Sequence, residues 1–265
     1  MTSAADCLLH PDRYIAFEAI HNFRDLGGYP TRDGGVTRFR TLFRSATVHH
    51  ATAADRERLR ALGVGRIIDL RSVHELQRDG LSEFGDLGIE REHVPVSRDT
   101  DLSPEQLLAR YRLYSIDAAE AYASILERGA AAFRRVFAIL ATDPRPVVYH
   151  CSGGKDRAGV LTALILSAVG VEREIIVADY ALTTRYLPEP AEERVEQFMR
   201  LYGLTREEFS AMHAADPDAM VRTLARLDRE YGSPEGYLRA IGVDDATLAR
   251  VRARLLRASE ADTPA

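Results

Sequence analysis

Two apolar periods alternate along the first two thirds of the chain. Arg66-Ile-Ile-Asp-Leu70, Glu92-His-Val-Pro-Val96 and Pro146-Val-Val-Tyr149 are short, rich in branched residues and bounded by polar or turn residues, as buried strands are. Pro146 opens its run, where the missing N–H removes no ladder donor. Thr52-Ala-Ala-Asp55 reads as a capping box with Asp in place of Glu, and it predicts a helix ending near Gly63. Asp101–Leu140 carries helical spacing over a length that fits two helices. Arg157–Val169 is apolar on nearly every face, which predicts a fully buried helix with Gly170 as its C′ residue. Before all of these, Asn22–Arg44 sets the turn signals Gly27-Gly28 and Asp33-Gly34-Gly35 between short extended runs such as Leu42–Arg44, predicting a small β-meander. The alternation gives an α/β fold: a largely parallel central sheet flanked by helices.

From Val171 the pattern turns to helices alone. Glu172–Leu187 should be helical up to Pro188, followed by Ala191–Tyr202, Arg206–His213, Asp218–Tyr231, Pro234–Ala240 and Asp244–Leu256. The organisation read from this is an N-terminal segment (1–20) and a single domain (21–256). Within that domain a sheet core spans 21–170 and a helical part spans 171–256, as a lid, a subdomain or flanking layers. Residues 257–265 form a frayed tail.

Composition narrows the class. A chain of 265 residues with 46% hydrophobic and 28% charged residues is globular, and it buries enough surface to need no staple. Cys7 and Cys151 stand far apart, so no disulfide framework is expected and a reducing compartment is the default. Met1–Asp6 lacks the basic start of a secretory signal, and the longest apolar stretch, Ala158–Val171, falls short of the ~20 residues of a membrane span. A cytoplasmic location is the expectation, with signal-less secretion left open. The net charge of −5 excludes a globally basic nucleic-acid binder but not a local basic pocket. Among 35 Lys and Arg residues only Lys155 is a lysine, and it stands in the segment that carries the chemistry.

That segment is His150-Cys-Ser-Gly-Gly-Lys-Asp-Arg157, between the third strand and the buried helix. The strand delivers Cys151 to the carboxyl edge of the sheet, where open α/β sheets bind ligands. Gly153 and Gly154 let the backbone curl into an anion-binding nest to which Ser152 and Lys155 also belong, and the helix aims its N-terminal dipole at the same point. Arg157 can grip two oxygens of a tetrahedral oxyanion through its planar fork. Such a field favours the thiolate of a cysteine placed in it. A cysteine nucleophile inside an oxyanion cradle implies covalent phosphoryl transfer. His150 is read as a holder of the loop shape rather than a base.

Three look-alikes fail. A Walker A loop needs Ser or Thr after Gly-Lys, where Asp156 stands here. A rhodanese-type sulfur carrier also places a cysteine in such a loop, but the double glycine and Arg157 fit phosphate better. Neither cysteine has a Cys or His partner at zinc spacing, so neither metal nor cofactor is expected.

His-Cys-x5-Arg is the signature loop of the cysteine-dependent protein tyrosine phosphatase superfamily. The form found here resembles its bacterial branch, typified by the mycobacterial secreted protein tyrosine phosphatase B. Asn22-Phe-Arg-Asp-Leu-Gly-Gly-Tyr29, Leu42-Phe-Arg-Ser45, Ile68-Asp-Leu-Arg-Ser72 with Glu75, and Tyr231-Gly-Ser-Pro-Glu-Gly-Tyr237 carry the resemblance over about residues 18–256. It implies a phosphotyrosine phosphatase that also acts on phosphoserine, phosphothreonine and phosphoinositides, with phosphorylated protein or phosphoinositide as its partners and a helical lid over the site. A phosphoinositide-specific lipid phosphatase and a phosphate-binding pseudophosphatase are the alternatives.

The resemblance also implies roles. Asp156 is the favoured general acid, with Asp69 as runner-up or, in its plain reading, a partner of Arg71. Lys155 matches the lipid-phosphatase pattern, in which a second positive charge meets further phosphates; otherwise it neutralises Asp156. Arg24, Asp25, Arg71 and Glu75 read as structural ion pairs or loop braces near the cleft, and Tyr202, Tyr231 and Tyr237 as core residues. One departure stands out: Ala158 occupies the position where the superfamily usually has Ser or Thr, whose hydroxyl helps the cysteine sulfur leave.

Overall fold

The computed structural model describes residues 7–81, 83–97 and 103–257. Among them, five strands form one sheet in the order β1-β3-β6-β4-β5: β1 Arg24–Asp25, β3 Leu42–Ser45, β6 Val147–His150, β4 Arg66–Asp69 and β5 Glu90–His93. β3, β6, β4 and β5 run parallel, and only the short β1 is antiparallel to its neighbour β3. Alternation along the strands separates two cores. Leu42, Ile68 and Val147 face a large helical layer, while Phe43, Ile67 and Val148 face a smaller cluster with Phe23, Leu59 and Phe84.

The helices follow the caps. α1 (Ala53–Ala61) opens on the Thr52–Asp55 capping box, and α2 (Val73–Asp79) on a second one formed by Ser72 and Glu75. The 101–140 region holds α3 (Pro104–Ile116) and α4 (Ala118–Thr142), split at Asp117, with residues 98–102 outside the described residues. α5 (Asp156–Ala168) is buried on nearly every face, and Gly170 follows it at φ +86°. The helical remainder comprises α6 (Arg173–Ala181), α7 (Thr183–Tyr186), α8 (Glu192–Tyr202), α9 (Arg206–His213), α10 (Pro217–Tyr231), α11 (Pro234–Ala240) and α12 (Asp245–Leu255). Within it, α10, α11 and α12 pack on α4, α5 and α6 as a layer of the main core, whereas α9 packs on α3. No helix among the described residues is long and apolar enough to cross a membrane.

Five expectations shift. The meander is not consecutive: β2 (Val36–Thr37) leaves the sheet and pairs with β7 (Leu256–Arg257), so Arg257 is paired rather than frayed. Residues 258–265 lie outside the described residues. The strand expected at 92–96 lies at Glu90–His93; beyond it Val94 N and Val96 N still donate to Asp69 O and Leu70 O, at 2.9 and 3.3 Å, but the regular register with β4 ends at His93. Glu172–Leu187 breaks at Leu182 into α6 and α7. Tyr237 is buried and donates to Leu126 O at 2.6 Å, but Tyr231 is exposed and Tyr202 half-buried.

Candidate active site

β6 lies between β3 and β4 and ends at His150, so the chain leaves the middle of the sheet directly into the loop of Cys151 and enters α5 at Asp156. The curl is held from behind. Thr47 N donates to Ser152 O at 2.9 Å, Asn22 Nδ2 to Gly153 O at 3.0 Å, and Arg44 Nη2 to Gly154 O at 2.6 Å. In a trans peptide the N–H points opposite to the C=O, so tying back three successive carbonyls turns the amides of Gly153, Gly154 and Lys155 the other way. Those amides and the N-terminus of α5 are an arrangement able to hold an anion. Gly154 sits at φ +66°, and a Cβ there would lie 2.4 Å from Ser45 O, so only glycine fits.

The braces are themselves anchored by a buried ion cluster. Asp179 on α6 receives Arg44 Nη1 at 2.8 Å, Arg24 Nε at 3.3 Å and the Tyr29 hydroxyl at 2.8 Å, all fully buried. Burial alone would raise the Asp179 carboxyl, but the charges of Arg24 and Arg44 outweigh it and hold the group below the usual range. Arg24 also donates to Asn22 Oδ1, which fixes the amide that grips the loop. Asn22 adopts φ +56°, a conformation Asn tolerates better than most residues. Asp25 accepts from Gly27 N and Arg40 N and shapes the turn between these braces. Asp179 and the role of Arg44 escaped the sequence reading; an acid at position 179 inside an apolar helix was the available signal.

On the open side, Arg157 meets Glu75 at two points, with Nη2 2.7 Å from Oε1 and Nη1 on Oε2. Arg157 also lines a cleft with Val96, Ser97, Arg110, Tyr114 and Arg128, whose charges suit an anionic substrate. Asp156 Oδ1 accepts from the Tyr122 hydroxyl at 2.7 Å and lies 3.4 Å from Lys155 Nζ. Lys155 is otherwise engaged: its ammonium donates to Met212 O and to Ala214 O, at the C-terminal end of α9. The end of α9 therefore sits over the loop, and Cys151 is only 2% exposed.

Asp69 is tied up. Arg71 Nη2 and Arg91 Nη2 each donate to Oδ2 at 2.8 Å, and Arg71 N to Oδ1 at 3.0 Å. Burial would raise this carboxyl, but His150, Arg71 and Arg91 outweigh it and keep it ionised, which suits a brace and not a proton donor. His150 is fully buried; its Nδ1 lies 3.1 Å from Cys151 O and its Nε2 3.8 Å from Asp69 Oδ2. Burial lowers its pKa, against the pull of the Asp69 carboxylate. Beside the loop, Ala158 is fully buried, and the nearby Thr162 hydroxyl is engaged with Ala158 O at 2.6 Å and Tyr149 Oη at 2.6 Å.

A model of the tyrosine phosphatase family matches residues 15–257. The triple specificity protein phosphatase PtpB of Mycobacterium tuberculosis is 32% identical, over 89% of this chain and 96% of that protein. A tyrosine-protein phosphatase of Nostoc commune is 30% identical, over 80% of this chain and 73% of that protein.

Proposed function

The chain belongs to the tyrosine phosphatase family, and on that premise we propose that it hydrolyses phosphotyrosine, with phosphoserine, phosphothreonine and phosphoinositides as further substrates, through a phosphocysteine. The single observation that carries this reading is the tied-back loop between β6 and α5, which surrounds Cys151 with inward amides and Arg157. Cys151 Sγ attacks phosphorus while Arg157 and the amides of residues 152–155 hold the non-bridging oxygens. The P–O bond to the leaving group breaks, and Asp156 donates its proton to that oxygen. Water then attacks the phosphocysteine, Asp156 takes the water's proton, the P–S bond breaks, and inorganic phosphate leaves with the thiolate restored.

Asp156 is preferred over Asp69 because Arg71 and Arg91 occupy Asp69, whereas the side chain of Asp156 keeps 28% of its surface exposed. His150 and Asp69 support the loop from beneath. The cleft arginines 110 and 128 favour substrates with further negative groups. The test is a panel of phosphotyrosine peptides, phosphoserine peptides and phosphoinositides, with Cys151→Ser as control. Turnover of phosphotyrosine lost in Cys151→Ser supports the reading. A lipid-only profile would move the assignment to a phosphoinositide phosphatase, and binding without turnover to a pseudophosphatase.

A further inference from the structure

We propose that the buried phenols of Tyr122 and Tyr180 form a positioning chain for Asp156 that decides which carboxyl oxygen carries the proton delivered to the leaving group. The inference rests on Asp156 being the acid of the reaction above.

The direction of the chain follows from counting protons. Tyr122 donates its one hydroxyl proton to Asp156 Oδ1 at 2.7 Å, and its oxygen lies 2.5 Å from the Tyr180 hydroxyl. A phenol has a single proton to give, so the second bond requires Tyr180 to donate to Tyr122. The order is Tyr180 to Tyr122 to Asp156. Oδ1, which accepts from Tyr122 and faces the Lys155 ammonium at 3.4 Å, is thereby made a permanent acceptor. The acidic proton is left to Oδ2. A carboxyl in the first turn of a helix would otherwise rotate and share its proton between both oxygens, and small misplacements of a reacting group are costly.

The surroundings hold both rings. Tyr122 on α4 and Tyr180 on α6 are 0% and 1% exposed and meet edge to face with centroids 6.0 Å apart. Gly159 on α5 makes room: a Cβ there would stand 2.9 Å from Tyr180 Cδ2. Burial, and then the Asp156 charge, push both phenols well above the usual tyrosine range, so neither ionises where the enzyme works. The other groups facing Asp156 are Tyr114 of α3, Lys155 of the loop and His213 of α9.

The experiment compares Tyr122→Phe, Tyr180→Phe and the double variant on aryl phosphates of graded leaving-group strength, each with a pH profile. For the poorest leaving groups, Tyr122→Phe should lower kcat ~5- to 30-fold, the value of one hydrogen bond, with KM nearly constant. The loss should shrink as the leaving group improves. The alkaline limb should move to higher pH, because the carboxylate has lost a donor. Tyr180→Phe should act in the same direction but less, and the double variant should be no worse than Tyr122→Phe alone. An equal loss on all leaving groups with an unmoved limb overturns the proposal and leaves a packing role. Asp156→Asn, run in the same series, separates the two levels. Leaving-group dependence there but not in Tyr122→Phe defeats the chain alone, and its absence in Asp156→Asn defeats the acid assignment and the chain with it.

Discussion

The guanidinium of Arg157 is aligned by the carboxylate of Glu75, which also accepts from Ser72 N at 2.8 Å and so belongs to the capping box of α2. One glutamate thus links the N-terminus of α2 to Arg157 at the N-terminus of α5. Burial would raise its carboxyl, but the Arg157 charge and hydrogen bonds outweigh this and hold it at about 2.

Glu75→Gln keeps the side-chain shape but removes the charge that orients Arg157. A charge-assisted contact is worth ~1.5–3 kcal/mol, so kcat/KM should fall roughly 10- to 150-fold. The same pair makes stability acid-sensitive. A carboxyl depressed from 4.5 to about 2 contributes fully above pH 4.5 and is lost as pH falls toward 2. Urea midpoints measured through that window should fall less steeply in Glu75→Gln than in the native chain.

Cys151 and Cys7 are both buried, at 2% and 4% exposure, so accessibility does not separate them. Chemistry should: iodoacetate ought to inactivate through Cys151, phosphate or vanadate ought to protect, and Cys7→Ser ought to inactivate at the native rate. Mass mapping of the alkylated residue checks this, and full activity in Cys151→Ser would end the mechanism.

Lys155→Ala removes the donor to Met212 O and Ala214 O. The end of α9 should loosen, and hydrogen exchange over residues 206–214 should rise about tenfold or more. If the lysine also meets a second phosphate, multiply phosphorylated substrates should lose more than a simple aryl phosphate. Equal losses would confine it to holding α9 and Asp156.

Ala158 offers no hydroxyl to the sulfur, and the hydroxyl of Thr162 is already engaged. Hydrolysis of the phosphocysteine should therefore be slow, giving a stoichiometric burst with an activated aryl phosphate under rapid mixing. Ala158→Thr should speed the steady state roughly 5- to 30-fold and leave the burst rate nearly unchanged. No burst, with no effect of the substitution, would mean that another donor serves.

Asp179→Asn leaves Arg24 and Arg44 as uncompensated buried charges, a change that costs ~3–5 kcal/mol when a buried pair is broken. Thermal melting should report that loss. Arg44→Met with Asp179→Leu should recover part of the stability but not the activity, because Gly154 O would still lack its brace.

The loop, its strand and its helix were legible in the sequence because each rests on local rules: a period, a cap, a pair of glycines, a cysteine six residues before an arginine. The capping box at Thr52 and the buried helix after Asp156 follow from neighbours within one turn. What holds that loop was not legible. Glu75 reaches Arg157 across 82 positions, Arg24 reaches Asp179 across 155, and Tyr122 reaches Asp156 across 34. β2 likewise finds β7 at the far end of the chain, and Lys155 finds the end of α9. Arg24 and Glu75 read as braces from sequence but their partners do not, because periodicity reports which face of an element is buried, not what lies against it. Those pairings exist only once the packed sheet brings the two sides together, where burial makes an unpartnered charge or hydroxyl too costly to leave unpaired.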